Sequence, residues 1–163
     1  MIANQQFDSY PVRGLRNLGN SCYLNSVLQV FTATSGVREH FLFNMEALKA
    51  IKAAANAGKS EEVALTTSMR QLIAQMHAHG KAEEAVHPVH VLKAVSRRHD
   101  IYGRRAEQDS HEVLRQLLEG LRDEMEKAAK AASREQADED KKEKTLIDDL
   151  FCGDVRSSIV CLN

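Results

Sequence analysis

Residues Arg16 to Phe31 read RNLGNSCYLNSVLQVF and set one cysteine, Cys22, between a Gly-Asn turn and an amphipathic run. A cysteine attacks as its thiolate, and the partial positive charge of a helix N-terminus, or a neighbouring histidine, favours that form. Leu24, Val27, Leu28 and Phe31 recur at the spacing of one helical face, so the first turn of a helix should begin at Cys22. Gly19-Asn20 ahead of it lets a substrate backbone approach closely. Asn17 can point a side-chain amide toward a developing oxyanion. Nucleophile, oxyanion donor and helix dipole can thus come from one loop. A small, unreactive cysteine opening a helix fits the same residues, and residue chemistry alone leaves both readings open.

The elements that must hold this loop are mostly helical. Residues 1–13 read as an extended lead-in, because Pro11 disfavours helix at Tyr10, and Gly14 and Gly19 punctuate the loop that follows. The first helix, capped by Asn20 or Ser21, should end at Ser35-Gly36. Phe41, Leu42, Met45, Leu48 and Ile51 predict a second from Val37 to Ala55. Val63, Met69, Leu72, Ile73 and Met76 predict a third from Ser60 to His77. A short fourth opens at His87-Pro88 and buries Val91, Leu92 and Val95. A long helix then runs from Asp109 or Ser110 to Ala132, with Leu114, Leu117, Leu118, Leu121 and Met125 as its stripe and Asp109 with Glu112 as a capping pair.

Composition shifts after that helix. Arg134 to Lys144 is almost all mixed charge and reads as a solvated linker at about 133–145. Leu146, Ile147, Leu150 and Phe151 suggest a short anchoring turn, broken at Cys152-Gly153. Val155 to Cys161 is β-prone and predicts a short C-terminal strand. A strand without its partner at Asn163 implies that the chain continues.

The totals narrow the function classes. A chain of 163 residues with 43% apolar content can bury a real core. With 22 basic and 23 acidic residues its net charge is -1, which offers no footprint for nucleic acid or an anionic membrane. No apolar run is long enough to span a bilayer, and MIANQQFDSYPVRG has no secretory pattern. Three cysteines make a poor disulfide framework, so a cytoplasmic or nuclear setting is expected.

The cysteine segment also matches a known pattern. GLRNLGNSCYLNSVLQ, Gly14 to Gln29, resembles the cysteine box of the ubiquitin-specific proteases, papain-like cysteine deubiquitinases: Gly-Leu-x-Asn-x-Gly-Asn-(Thr or Ser)-Cys-(Tyr or Phe)-x-Asn. EQDSHEVL, Glu107 to Leu114, resembles that family's Gln-Gln-Asp-x-x-Glu-(Phe or Leu)-Leu motif. LFCGDVRSSIVC resembles the Leu-Phe-x-Gly-x-x-x-Ser-x-x-x-Cys segment leading into its fingers. The resemblance implies a mostly α chain forming the N-terminal, thumb-like half of a papain-like α+β catalytic domain, partial over 14–163. It implies Cys22 as nucleophile at the carbonyl of ubiquitin's C-terminal glycine and Asn17 as oxyanion stabiliser. Gln108, Asp109 and Glu112 would line the groove for ubiquitin's arginine-rich tail, which carboxylates suit; capping alone is the plainer role for Asp109 and Glu112. Partners would be ubiquitin and ubiquitinated proteins, with no nucleic acid and no membrane.

Two parts of the resemblance are missing. The family's general base lies in a Gly-His-Tyr-like block, and His40, His77, His79, His87, His90, His99 and His111 all lie outside such a context. The chain alone should therefore be weak or inactive. The family's fingers often hold a structural zinc between two Cys-x-x-Cys pairs. Cys161 would be a first ligand of such a site in a longer protein, and no metal is expected here. A non-catalytic module that binds ubiquitin's tail or another partner is the alternative, and a purely structural helical protein is a third reading that leaves the three ordered blocks unexplained.

Overall fold

The computed structural model describes residues 13–54, 56, 61–78, 84–104, 106–132 and 144–158. The order is α1 (Cys22–Ala33), α2 (Ser35–Phe43), α3 (Met45–Ala54), α4 (Ala64–Met76), α5 (Val89–Arg98), a 3-10 turn (Asp100–Gly103), α6 (Ser110–Ala132) and α7 (Leu146–Phe151). The chain is mostly α, as its helical periodicities predict. The charged stretch 133–143, His79 and Cys161 lie outside the described residues. Of the strand expected from Val155 to Cys161, residues 155–158 are described and lie outside any helix or strand.

The long helix α6 is the axis, packing against α1, α3, α4, α5 and α7. Its residues Val113, Leu117 and Leu121 are fully buried and meet Leu24 and Leu28 of α1 and Leu65, Met69 and Ile73 of α4 in one apolar cluster. Val113 joins the stripe read from the sequence, while Leu114, Leu118 and Met125 are only partly buried at its edges. Gly120 marks the closest crossing: an added Cβ would sit 2.7 Å from a Leu65 methyl and 3.0 Å from the Arg98 guanidinium.

Three boundaries differ from the sequence reading. The helix expected from Ser60 begins at Ala64, with residues 61–63 in a turn and Val63 as its N-cap. The first helix ends one step earlier, at Thr34, whose hydroxyl bonds the Val30 carbonyl at 3.0 Å. The single helix expected from Val37 to Ala55 is two, α2 and α3, split at Asn44. Asn44 adopts an extended conformation, and its side-chain oxygen accepts from the Ala47 N–H at 3.1 Å. An asparagine that caps the next helix outcompetes continuation of the previous one.

Three polar clamps fix the arrangement. Glu124 of α6 is buried and accepts from the N–H groups of Leu65 (3.1 Å) and Thr66 (2.7 Å) and from the Thr66 hydroxyl (2.8 Å). A remote carboxylate thereby caps α4, whose own N-cap, Val63, has no side chain for the task. Thr145 and Asp148 form a reciprocal capping box on α7, and Asp148 pairs with Arg122 of α6 at 2.9 Å. Leu15 makes a parallel bridge with Val86: the Arg16 N–H donates to the Val86 carbonyl (2.9 Å) and the Val86 N–H to the Gly14 carbonyl (2.8 Å). That bridge ties the cysteine loop to the segment before α5.

Candidate active site

Cys22 is exposed and is the first residue of α1. The turn ahead of it needs left-handed backbone at two successive residues, Gly19 (φ 93°) and Asn20 (φ 49°), which glycine and asparagine tolerate best. Asn17 holds this turn from inside. Its side-chain oxygen accepts from the Gly19 N–H (2.9 Å), the Ser21 N–H (3.2 Å) and the Ser21 hydroxyl (3.1 Å). The carbonyl end is thus spent on the loop, and the NH2 group is the donor end of the same side chain.

Ser21 occupies the N-cap position but makes no capping bond. Its buried hydroxyl accepts instead from the Leu18 N–H at 2.8 Å. Of the two caps expected for α1, Asn20 or Ser21, Ser21 is thereby corrected. The N-cap side chain thus takes none of the first N–H groups of α1, at the end of the helix where anionic charge is favoured. Two amides on the polar side of α1 steady the loop from the other direction. Asn25 donates to the Arg16 carbonyl (3.2 Å) and Gln29 to the Arg13 carbonyl (3.4 Å).

The acidic motif stands across a pair of tyrosines. Tyr23 and Tyr102 are buried with ring centroids 6.0 Å apart. Burial, and then the neighbouring Cys22, push the Tyr23 phenol up. Burial also raises Tyr102, followed by the charges of Glu112, Tyr23 and Asp109. Tyr23, next to Cys22, thus packs on Tyr102, and the charges of Glu112 and Asp109 act on that second ring. Asp109 is the N-cap of α6, accepting from the N–H groups of His111 (2.7 Å) and Glu112 (3.4 Å) through one oxygen. Glu112 accepts from the Gln116 amide at 3.1 Å and lies 3.6 Å from Arg115. Gln108 is half-buried just before them.

An exposed cysteine opens α1 and the acidic motif opens α6, with Tyr23 and Tyr102 packed between their segments. The family model for ubiquitin carboxyl-terminal hydrolase matches residues 13–163. The chain belongs to that family. It is 30% identical to ubiquitin carboxyl-terminal hydrolase 1 of Arabidopsis thaliana over 95% of this chain and 13% of that protein. It is 29% identical to ubiquitin carboxyl-terminal hydrolase 16 of Mus musculus over 92% of this chain and 21% of that protein. It is 27% identical to ubiquitin carboxyl-terminal hydrolase 2 of Homo sapiens over 91% of this chain and 26% of that protein. The chain thus spans about a quarter or less of these hydrolases.

Other expected parts of a hydrolase site are not brought to the cysteine. Among the described residues no histidine is hydrogen-bonded to Cys22: His87 meets Arg16 at 3.4 Å, His77 the Thr32 carbonyl at 3.1 Å, and His40 the Asn44 amide at 3.4 Å. Among the described residues no group of three His, Cys, Asp or Glu side chains is placed to hold a metal ion. Sequence reasoning missed Tyr102, Asn25 and Gln29. The spacing of four between Asn25 and Gln29, on one helical face beside the loop, was the available signal for the last two.

Proposed function

We propose that this chain is the nucleophile-bearing part of a cysteine deubiquitinase that cleaves isopeptide or peptide bonds after ubiquitin's C-terminal glycine. The observation that carries the reading is Cys22, exposed as the first residue of α1 after a left-handed turn that Asn17 holds. The Cys22 sulfur attacks the glycine carbonyl, and the Asn17 amide with the first N–H groups of α1 receives the developing negative oxygen. The thiol proton passes to a general base and then to the departing amine as the C–N bond breaks. Water next attacks the thioester, and its proton leaves through the same base, which regenerates the thiol. Asp109 and Glu112 hold the arginines of ubiquitin's tail, with Gln108 beside them.

The base is not among the described hydrogen bonds of Cys22, so we expect the 163-residue chain alone to turn over slowly or not at all. Incubation with ubiquitin ending in a C-terminal electrophile should yield a one-to-one covalent adduct, absent in Cys22→Ala. An unlabelled wild-type chain would contradict the assignment. The acidic lip at Asp109 and Glu112 needs no thiol, and it favours a second reading, a non-catalytic module for ubiquitin's tail. That reading requires Cys22→Ala to bind ubiquitin while the wild type forms no adduct. The cytoplasm or nucleus is the setting we propose for either.

A further inference from the structure

A groove of about 500 Å³ opens between the cysteine loop and α5. Leu18, Val89 and Leu92 give it an apolar wall, and the rings of Tyr23 and Tyr102 line another side. Lys93 and Arg97, one helical turn apart on α5, add two cations, and no carboxylate lines the groove among the described residues. Arg97 lies 3.8 Å from Glu61, but both side chains are mostly in water, where such a pair contributes little and leaves the guanidinium available. Ser21 and Tyr23, the residues on either side of Cys22, both line the groove. Whatever occupies it therefore lies beside the residues that flank Cys22.

Charge separates this groove from the acidic lip. Asp109 and Glu112 suit an arginine-rich tail, whereas Lys93 and Arg97 repel one. Its volume suits a few residues of chain, and its apolar wall suits a hydrophobic side chain among them.

We propose that this groove binds an acidic peptide segment bearing an apolar residue. Resting on the function proposed above, the segment belongs to the polypeptide on the leaving-group side of the scissile bond. Its carboxylates pair with Lys93 and Arg97, and its apolar side chain covers Leu18, Val89 and Leu92. A carboxylate lip and a cation-rimmed groove then share the two tyrosines beside the nucleophile, and their opposite charges favour one direction for a substrate.

Fluorescence anisotropy with the 163-residue chain tests this, using a fluorescein-labelled peptide of alternating Glu and Leu and its Lys and Leu counterpart. The acidic peptide should bind saturably and release as salt rises, and the basic one should not bind. Lys93→Glu with Arg97→Glu should weaken the acidic peptide about tenfold or more. Ser96→Trp, which fills the groove from α5 without altering charge, should also block it. Equal binding of both peptides, no binding at all, or binding unchanged in both variants overturns the proposal. Adduct formation with electrophile-ended ubiquitin, run on the same samples, separates the two readings. Adduct without peptide binding rejects the groove alone, whereas peptide binding without adduct rejects the leaving-group assignment and the hydrolase reading together.

Discussion

Two helix N-termini in this molecule are treated in opposite ways. At α4 a buried glutamate from another helix takes two backbone N–H groups and a hydroxyl, so the end of the helix is fully spent on holding α4 to α6. At α1 the residue in the capping position turns its hydroxyl into the preceding loop, and the helix end carries an exposed thiol. The first arrangement contributes stability and nothing else. The second forgoes the usual capping stabilisation from that residue, about 1 kcal/mol, and in the function proposed above it offers donors to a reacting oxyanion. What sets Cys22 apart from Cys152 is its place at the start of a helix, since Cys152 is also exposed but follows the end of α7.

The largest effect should come from the spent end. Glu124→Ala leaves three buried donors unpaired and should lower stability by about 2–3 kcal/mol. Urea denaturation measures this, and a loss below about 0.5 kcal/mol would break the contrast by making the α4 cap incidental. Gly19→Ala should cost about 1–2 kcal/mol. The space around Gly19 is open, so the whole cost is its φ of 93°. Adduct formation at Cys22 should slow in parallel, whereas a variant as stable and reactive as wild type would show that the turn needs no left-handed residue.

A smaller effect follows from the ionisation of Glu124. Burial raises its carboxyl above the usual range, against the opposing hydrogen bonds from Thr66 and Leu65 and the charge of Arg98. A raised folded value means the contribution is fully present below the unfolded value and is lost as pH rises through the folded one. Wild type should therefore gain stability relative to Glu124→Gln as pH falls from neutral toward the ordinary glutamate range. Parallel urea midpoints for the two proteins would reject this cost of burial. Smallest in stability is Asp109→Asn, about a few tenths of a kcal/mol, because asparagine also caps. Its binding to ubiquitin's tail should nonetheless fall roughly several-fold. Unchanged affinity would reduce Asp109 to a cap and leave the α6 terminus on the structural side of the comparison.

The same contrast separates what could be read from the sequence. Helix stripes such as Leu24, Val27, Leu28 and Phe31 are legible because burial follows the 3.6-residue period. The turn before Cys22 is legible through Gly19-Asn20, but the hold of Asn17 on it and the Ser21 bond to Leu18 are not, because the same side chains suit capping and oxyanion roles equally well. Glu124 is not, since the N–H groups it takes lie 58 and 59 residues away and nothing local marks a glutamate as another helix's cap. Asn44 was missed because a single asparagine inside an apolar stripe reads as a surface residue until its side chain is seen bonding Ala47. Tyr102 becomes part of the site only through packing on Tyr23, a contact made by the fold.

Cys22 and Cys152 supply the most direct test, because both are exposed thiols and only one opens a helix. The chain would be treated with electrophile-ended ubiquitin, digested and mapped by mass spectrometry. The account predicts that ubiquitin is found on Cys22, that Cys152 stays unmodified, and that Cys22→Ala removes the adduct. Ubiquitin distributed over both cysteines, or an adduct surviving in Cys22→Ala, would contradict the claim that the open N-terminus of α1 is the reactive centre.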